Sequence, residues 1–243
     1  MMPNESDWPI FRLSQDRQNF VREINEFTHR KLVGRYKKAL ADILQKTIYL
    51  ERIRIKEDPW KVDPPNDRVF WNRISKALIK RSLDRDDLEA KAVNEEILGK
   101  IIRRYSEEIV GTFNIPTHRF AVRFLTVLFN RFLNAALSKS LLSLIFGGKK
   151  QLFESLNVQG ELETVRSLFA KGTVVVVPTH FSNMDSILVG FAMDSVLGLP
   201  SFSYGAGLNL YNFGPAAYFM NRLGAYRVDR RKKNTIYLET LKA

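Results

Sequence analysis

The sequence predicts an α/β domain, a mixed sheet with flanking helices, preceded by an all-helical N-terminal region. Two observations carry that expectation. Apolar residues recur at the 3.6-residue helical period through most of the first 110 positions. After Gly147-Gly148 the pattern changes to short apolar runs alternating with short helical stretches, as in an α/β layer. The boundary is drawn at 150, with residues 1–150 helical and residues 151–243 α/β.

Taken in order, residues 27–56 place Leu32, Val33, Tyr36, Leu40, Ile43, Leu44 and Ile48 on one helical stripe. Asp-Pro-Trp-Lys-Val-Asp-Pro-Pro at 58–65 stops that helix, because proline lacks the N–H and clashes with the preceding turn. Helical patterning resumes over 68–81 and over 86–110, and Gly111 and Pro116 end it. Residues 120–146 form the longest apolar stretch, but Arg123, Arg131 and Lys139 interrupt it. It reads as an amphipathic helix or helix pair, its apolar face turned either to the core or to a membrane interface. In the second half, 157–160 reads as a strand and turn and 161–170 as a helix closed by Gly172. The β-branched run 173–177 reads as a buried strand and 184–197 as a helix. A strand over 200–204, a helix over 214–223, a strand over 225–228 and a helix from Asn234 complete the pattern.

Composition narrows the function. The 243 residues are 45% hydrophobic, so the chain can bury a sizeable core. With no cysteine there is no disulfide, thiolate metal site or Cys nucleophile. The net charge of +12 draws the chain to polyanions, be they nucleic acid, anionic lipid or phosphorylated substrate. No zinc-finger, basic-zipper or aromatic-basic RNA motif accompanies that charge, so nucleic acid is not an expected partner. P-loop, dinucleotide-turn and Gly-x-Ser-x-Gly patterns are missing. His29, His118 and His180 lie far apart without metal-ligand spacing, so no metal is expected, and His29 and His118 read as surface or capping residues. No signal peptide and no apolar run of ~18 residues is present, so the chain is expected in the cytoplasm.

The densest chemistry follows the Val-rich run. His180 and Asp185 flank a turn that lets the chain fold back, so the carboxylate can reach Nδ1 of the imidazole. An Asp there holds the tautomer and stabilises the imidazolium that forms when Nε2 takes a proton. The spacing fits a general base and a structural hydrogen bond equally well. Downstream, Gly205-Ala206-Gly207 lets the backbone approach a ligand or turn tightly. Gly224 opens the short strand 225–228, which ends in Asp229-Arg230-Arg231-Lys232-Lys233. Arginine in that place can grip a phosphate bidentately, and a solvated basic edge is the plainer reading.

These three blocks in this order resemble the His-x4-Asp glycerolipid acyltransferases, most closely the glycerol-3-phosphate acyltransferase branch. The resemblance covers about a third of the chain, residues 158–241. It implies an acyltransferase-like fold and acyl transfer from acyl-CoA or acyl-carrier protein to glycerol 3-phosphate or 1-acylglycerol 3-phosphate. No further cofactor is implied. His180 would be the base, Asp185 its partner, Arg230 with neighbouring Arg231 the phosphate ligands, and Gly224 the opening glycine of its block. A peripheral position on a membrane also follows from it. The Asp229-Arg230 pair departs toward the lysophosphatidate branch. The family's Phe-Pro-Glu-Gly block and the apolar block after it do not occur, so the expectation is an acyltransferase domain incomplete at its C-terminus. The competing expectation is a non-catalytic, membrane-associated lipid-binding module or pseudoenzyme.

Overall fold

A computed structural model describes residues 7–82, 87–137, 159–179 and 183–243. The helices are α1 (Arg12–Gln15), α2 (Arg17–Tyr36), α3 (Leu40–Glu57), α4 (Asp67–Ser82), α5 (Asp87–Ile109), α6 (Ile115–Leu137), α7 (Leu162–Leu168), α8 (Asn183–Phe191), α9 (Gly214–Met220) and α10 (Thr235–Lys242). Strands β1 (Tyr204–Gly207) and β2 (Ala225–Val228) form the sheet among the described residues. Contacts divide the chain into two compact units. One holds residues up to Ser14 with Phe113–Ser203, and the other holds Gln15–Thr112 with Tyr204–Ala243.

The second unit is built on helical stripes. α2 packs on α5, and α3 packs on both α4 and α5. Leu44, Trp71, Ile97, Leu98, Ile101, Ile102 and Tyr105 are each 2% exposed or less. Burying a side chain of that size stabilises by ~1.5–3 kcal/mol. The helix expected over 27–56 is two helices. α2 buries Val21, Thr28 and Leu32 and α3 buries Leu40, Leu44 and Ile48, and the chain turns at 37–39, where Ala39 N–H donates to Tyr36 O at 2.9 Å. No proline or glycine marks that turn, because the different packing partners of the two helices set it.

β1 and β2 pair in parallel, with Tyr204 opposite Ala225 and Gly207 opposite Val228. Parallel strands need a crossover, which the 3₁₀ turn Leu208–Asn212 and α9 supply. β2 matches its expected limits, whereas the strand expected over 200–204 begins at Tyr204. Gly205-Ala206-Gly207, read as a close-approach or tight-turn segment, is therefore strand. α10 then returns to the helices. Ile236 and Tyr237 join their core, and the Asn234 side chain caps α10 by accepting from Tyr237 N–H at 2.9 Å.

In the first unit α6 buries Thr117, His118, Ala121 and Phe129, and Phe129 meets Phe191 of α8 with ring centroids 5.1 Å apart. Phe120, Phe124 and Val127 on its other face are exposed. Arg166 of α7 donates to Leu197 O at 2.9 Å, beyond the π turn Ala192–Val196 that extends α8. The buried strand expected over 173–177 does not form. Residues 173–179 carry no regular structure, and Val175 and Val177 are 77% and 87% exposed. A β-branched run becomes a strand only against a partner ladder, and no described residue pairs with this one. The strand-and-turn expected over 157–160, and the expected helical stretch over 138–146, lie wholly or partly outside the described residues.

Candidate functional site

The expected site residues distribute over both units. Asp185 stands half-buried in the first turn of α8, where the partial positive charge of a helix N-terminus favours a carboxylate. His180, expected to pair with it, lies outside the described residues. Arg230, Arg231, Gly205, Gly207 and Gly224 belong to the other unit.

There the segment after β2 is held by charge. Arg231 donates from Nε and Nη2 to Asp229 at 2.9 and 2.8 Å, and from Nη2 to Asp63 Oδ1 at 2.5 Å. Its guanidinium lies 4.1 Å from the centroid of Trp60, a cation–π contact. Asp63 also pairs with Arg54 at 3.1 Å, and Arg54 donates to Glu51 at 2.8 Å and to Asp67. Glu51, 1% exposed, accepts from the hydroxyl of Tyr105 at 2.8 Å and from Asn234 Nδ2 at 3.2 Å. Lys232, also buried, pairs with Glu108.

Buried charges persist only when paired and hydrogen-bonded, and these are. Burial works to raise the Asp63 carboxyl, but hydrogen bonds from Arg231 and the Trp60 N–H, with the charges of Arg54 and Arg231, hold it below its ordinary value. Burial works against the Arg231 cation, and the same carboxylates raise its pKa above the usual arginine value. Arg231 thus ties the post-β2 segment to the α3–α4 connection, with its donors committed to the Asp63 and Asp229 carboxylates and, from Nη1, to the Asp58 carbonyl at 2.7 Å. Arg230, between two anchored neighbours, is exposed to solvent. The two arginines read together from the sequence have different surroundings.

The glycines have local reasons. A Cβ on Gly205 would come within 2.9 Å of the Tyr226 ring opposite it in the sheet, and one on Gly207 would strike the Asn209 side chain. Gly224 has φ +79°, a conformation that favours glycine, and its N–H donates to Thr112 O at 2.8 Å. Sequence reasoning missed Gly111, where a Cβ would collide with the Ala225 carbonyl. It read Gly111 as a helix stop, and proximity to β2 leaves no local signal.

His118 is a correction. It is 8% exposed, with Nε2 2.9 Å from both Asp194 Oδ2 and Ser201 Oγ. Trp8 and Phe113 pack on its ring. A catalytic triad needs the carboxylate on one ring nitrogen and the hydroxyl on the other. Here both share Nε2, and buried Nδ1 has no partner among the described residues, so the cluster is a structural junction of the first unit. The charged residues around position 118 in the sequence hid its burial, because its polar partners Asp194 and Ser201 lie more than 70 residues away.

Glycerol-3-phosphate acyltransferase from Shewanella oneidensis is 27% identical to this chain over 167 residues, which is 68% of this chain and 18% of the relative. The proteins of that name from Shewanella loihica and Shewanella baltica are 26% identical over 175 residues and 28% identical over 167. The chain is related to the glycerol-3-phosphate acyltransferases. It spans about a fifth of the length of the curated glycerol-3-phosphate acyltransferases it matches. No family model matches it. No solved structure matches it either.

Proposed function

We propose that this chain takes part in acyl transfer to a hydroxyl of glycerol 3-phosphate, or of 1-acylglycerol 3-phosphate, in glycerolipid synthesis. The observation that carries this reading is its similarity, over two thirds of its length, to proteins named glycerol-3-phosphate acyltransferase. Residues 151–243 supply the chemical groups, on an acyltransferase-like α/β scaffold. His180 Nε2 takes the proton of the acceptor hydroxyl, and Asp185 orients the ring and stabilises the imidazolium. The acceptor oxygen attacks the thioester carbonyl of acyl-CoA or acyl-carrier protein. The C–O ester bond forms, the C–S bond breaks, and the imidazolium proton passes to the departing thiolate. The exposed Arg230 grips the acceptor phosphate. Arg231, committed to Asp63 and Asp229, serves that contact by fixing the backbone beside it.

Transfer of a labelled acyl group to glycerol 3-phosphate tests the reading. We expect His180→Ala to lower turnover by roughly 10²–10⁴-fold while glycerol 3-phosphate still binds. Arg230→Ala should raise KM for the acceptor more than it lowers kcat. Near-wild-type turnover by His180→Ala would sink the assignment.

One observation favours a second reading, a membrane-associated lipid-binding module. Phe120, Phe124 and Val127 project from α6 into solvent on a face bordered by the exposed Arg123 and Arg131. No helix among the described residues is long and apolar enough to cross a membrane, and an amphipathic helix of this kind lies in the interface plane. Sedimentation with anionic vesicles at increasing salt distinguishes the readings. Binding without transfer from either acyl donor supports the module.

A further inference from the structure

The hairpin of α3 and α4 carries an open groove of about 700 Å³ that no step of the proposed transfer uses. Its volume falls within the range of small-molecule sites. The two helices leave the Asp58–Asn66 connection together, so residues near that connection share one end of the groove and Gln45 and Ile79 mark the other. The ends differ chemically. At the connection end, Arg52 and Lys56, one turn apart on α3, face Arg68 from α4, and Glu57 is the one acid among the described residues that line the groove. From beside these cations toward the far end, Trp71, Ile48 and Leu78 make an apolar floor, each less than 9% exposed. Tyr49 and Ile79 rim that end while 65% and 61% exposed, so large apolar side chains stand in water at its margin. From residue 45 to residue 56 the groove follows α3 for about 16 Å, at 1.5 Å per residue.

A trough with cations at one end and an apolar floor running from them to the other has the polarity of a single-chain anionic amphiphile. We propose that this groove binds such a molecule, an alkyl chain along Ile48, Trp71 and Leu78 with its phosphate or carboxylate head between Arg52, Lys56 and Arg68. The head gains charge-assisted hydrogen bonds where the side chains are free to close on it, and the chain removes the exposed rim from water. The inference goes beyond the transfer reading and does not depend on it. The same chemistry is available from a dissolved amphiphile and from an anionic lipid partly lifted from a bilayer.

Titration calorimetry of the whole chain with decyl phosphate, kept below its micelle concentration, tests this. We expect one site, with inorganic phosphate and decanol each binding at least about tenfold more weakly, since either probe lacks half of the recognition. Arg52→Glu with Lys56→Glu should weaken decyl phosphate by about tenfold or more, and Lys46→Ala, on α3 outside the groove, should not. Ser75→Trp, which fills the trough, should abolish binding. Thermal unfolding of each variant checks folding, and the charge-reversal pair carries the test where the tryptophan variant melts early. Vesicles of phosphatidylglycerol in phosphatidylcholine separate the sources. Vesicle binding lost in Ser75→Trp assigns a bilayer lipid to the groove, and vesicle binding unaffected by Ser75→Trp, with decyl phosphate binding lost, assigns a dissolved amphiphile. Absence of decyl phosphate binding, or binding undiminished by both groove variants, overturns the proposal.

Discussion

Arg231 shows how much a single side chain's role depends on what lies across from it. In the chain it sits in a run of five charges and is indistinguishable from Arg230. In the fold it bridges Asp63 and Asp229 over Trp60, and Arg230 faces solvent. Part of the protein's acid behaviour follows from that bridge. Asp63 is held below its ordinary value of 3.8. A carboxylate with a depressed folded-state pKa contributes stability that is present above its unfolded pKa and lost as pH falls through the folded one. Thermal stability should therefore show no Asp63 contribution to its slope above about pH 5 and should fall below about pH 4. Asp63→Asn should lower the midpoint at neutral pH and flatten that acid decline. Wild-type and variant curves running parallel from pH 6 to pH 3 would contradict the account.

At the scale of elements, α10 is the clearest case of a local signal with a distant second role. Asn234 caps it, as a residue of that type before an apolar helix should. The same side chain donates to Tyr105 at 2.9 Å and to Glu51 at 3.2 Å from within the helical core. Asn234→Ala should cost more than the ~1 kcal/mol of a lost cap, because buried partners lose a donor as well. Asn234→Asp keeps the cap acceptor but sets a carboxylate beside Glu51, so it should not rescue stability. Urea unfolding of both variants, with Tyr105→Phe completing a double-mutant cycle, measures the two contributions. Additive energies from that cycle would show the core bond to be worth nothing. The Val-rich run makes the opposite point. Its composition suits a strand, yet residues 173–179 have no ladder among the described residues. Strand formation depends on a partner in a way that helix formation does not.

At the scale of the molecule, the C-terminal forty residues are part of the helical unit. Ile236 and Tyr237 are buried among α2, α3, α4 and α5, and Lys31 of α2 reaches Glu239 at 2.8 Å. A chain ending at Ser203 should therefore lose cooperative unfolding of the N-terminal helices, since Leu44, Ile101 and Tyr105 would lose apolar cover and Glu51 a buried donor. Circular dichroism melting reads this directly. A sharp transition at the full-length midpoint would show that the helices hold their core alone.

The amino-acid order by itself determined the helices with a strong apolar period, the breaks at the prolines of 59–65, the helix that begins near Asn234, the limits of β2, and the order of blocks that resembles the glycerol-3-phosphate acyltransferases. These are local patterns, and one stretch of chain carries the whole signal. Only the tertiary structure decided that the apparent helix over 27–56 bends at 37–39, that His118 is buried against Asp194, that Gly111 yields room to β2, and that Arg231 is spent on carboxylates while Arg230 is not. Each depends on a partner tens of residues to well over a hundred residues away, and burial and charge pairing depend on which residues meet in space.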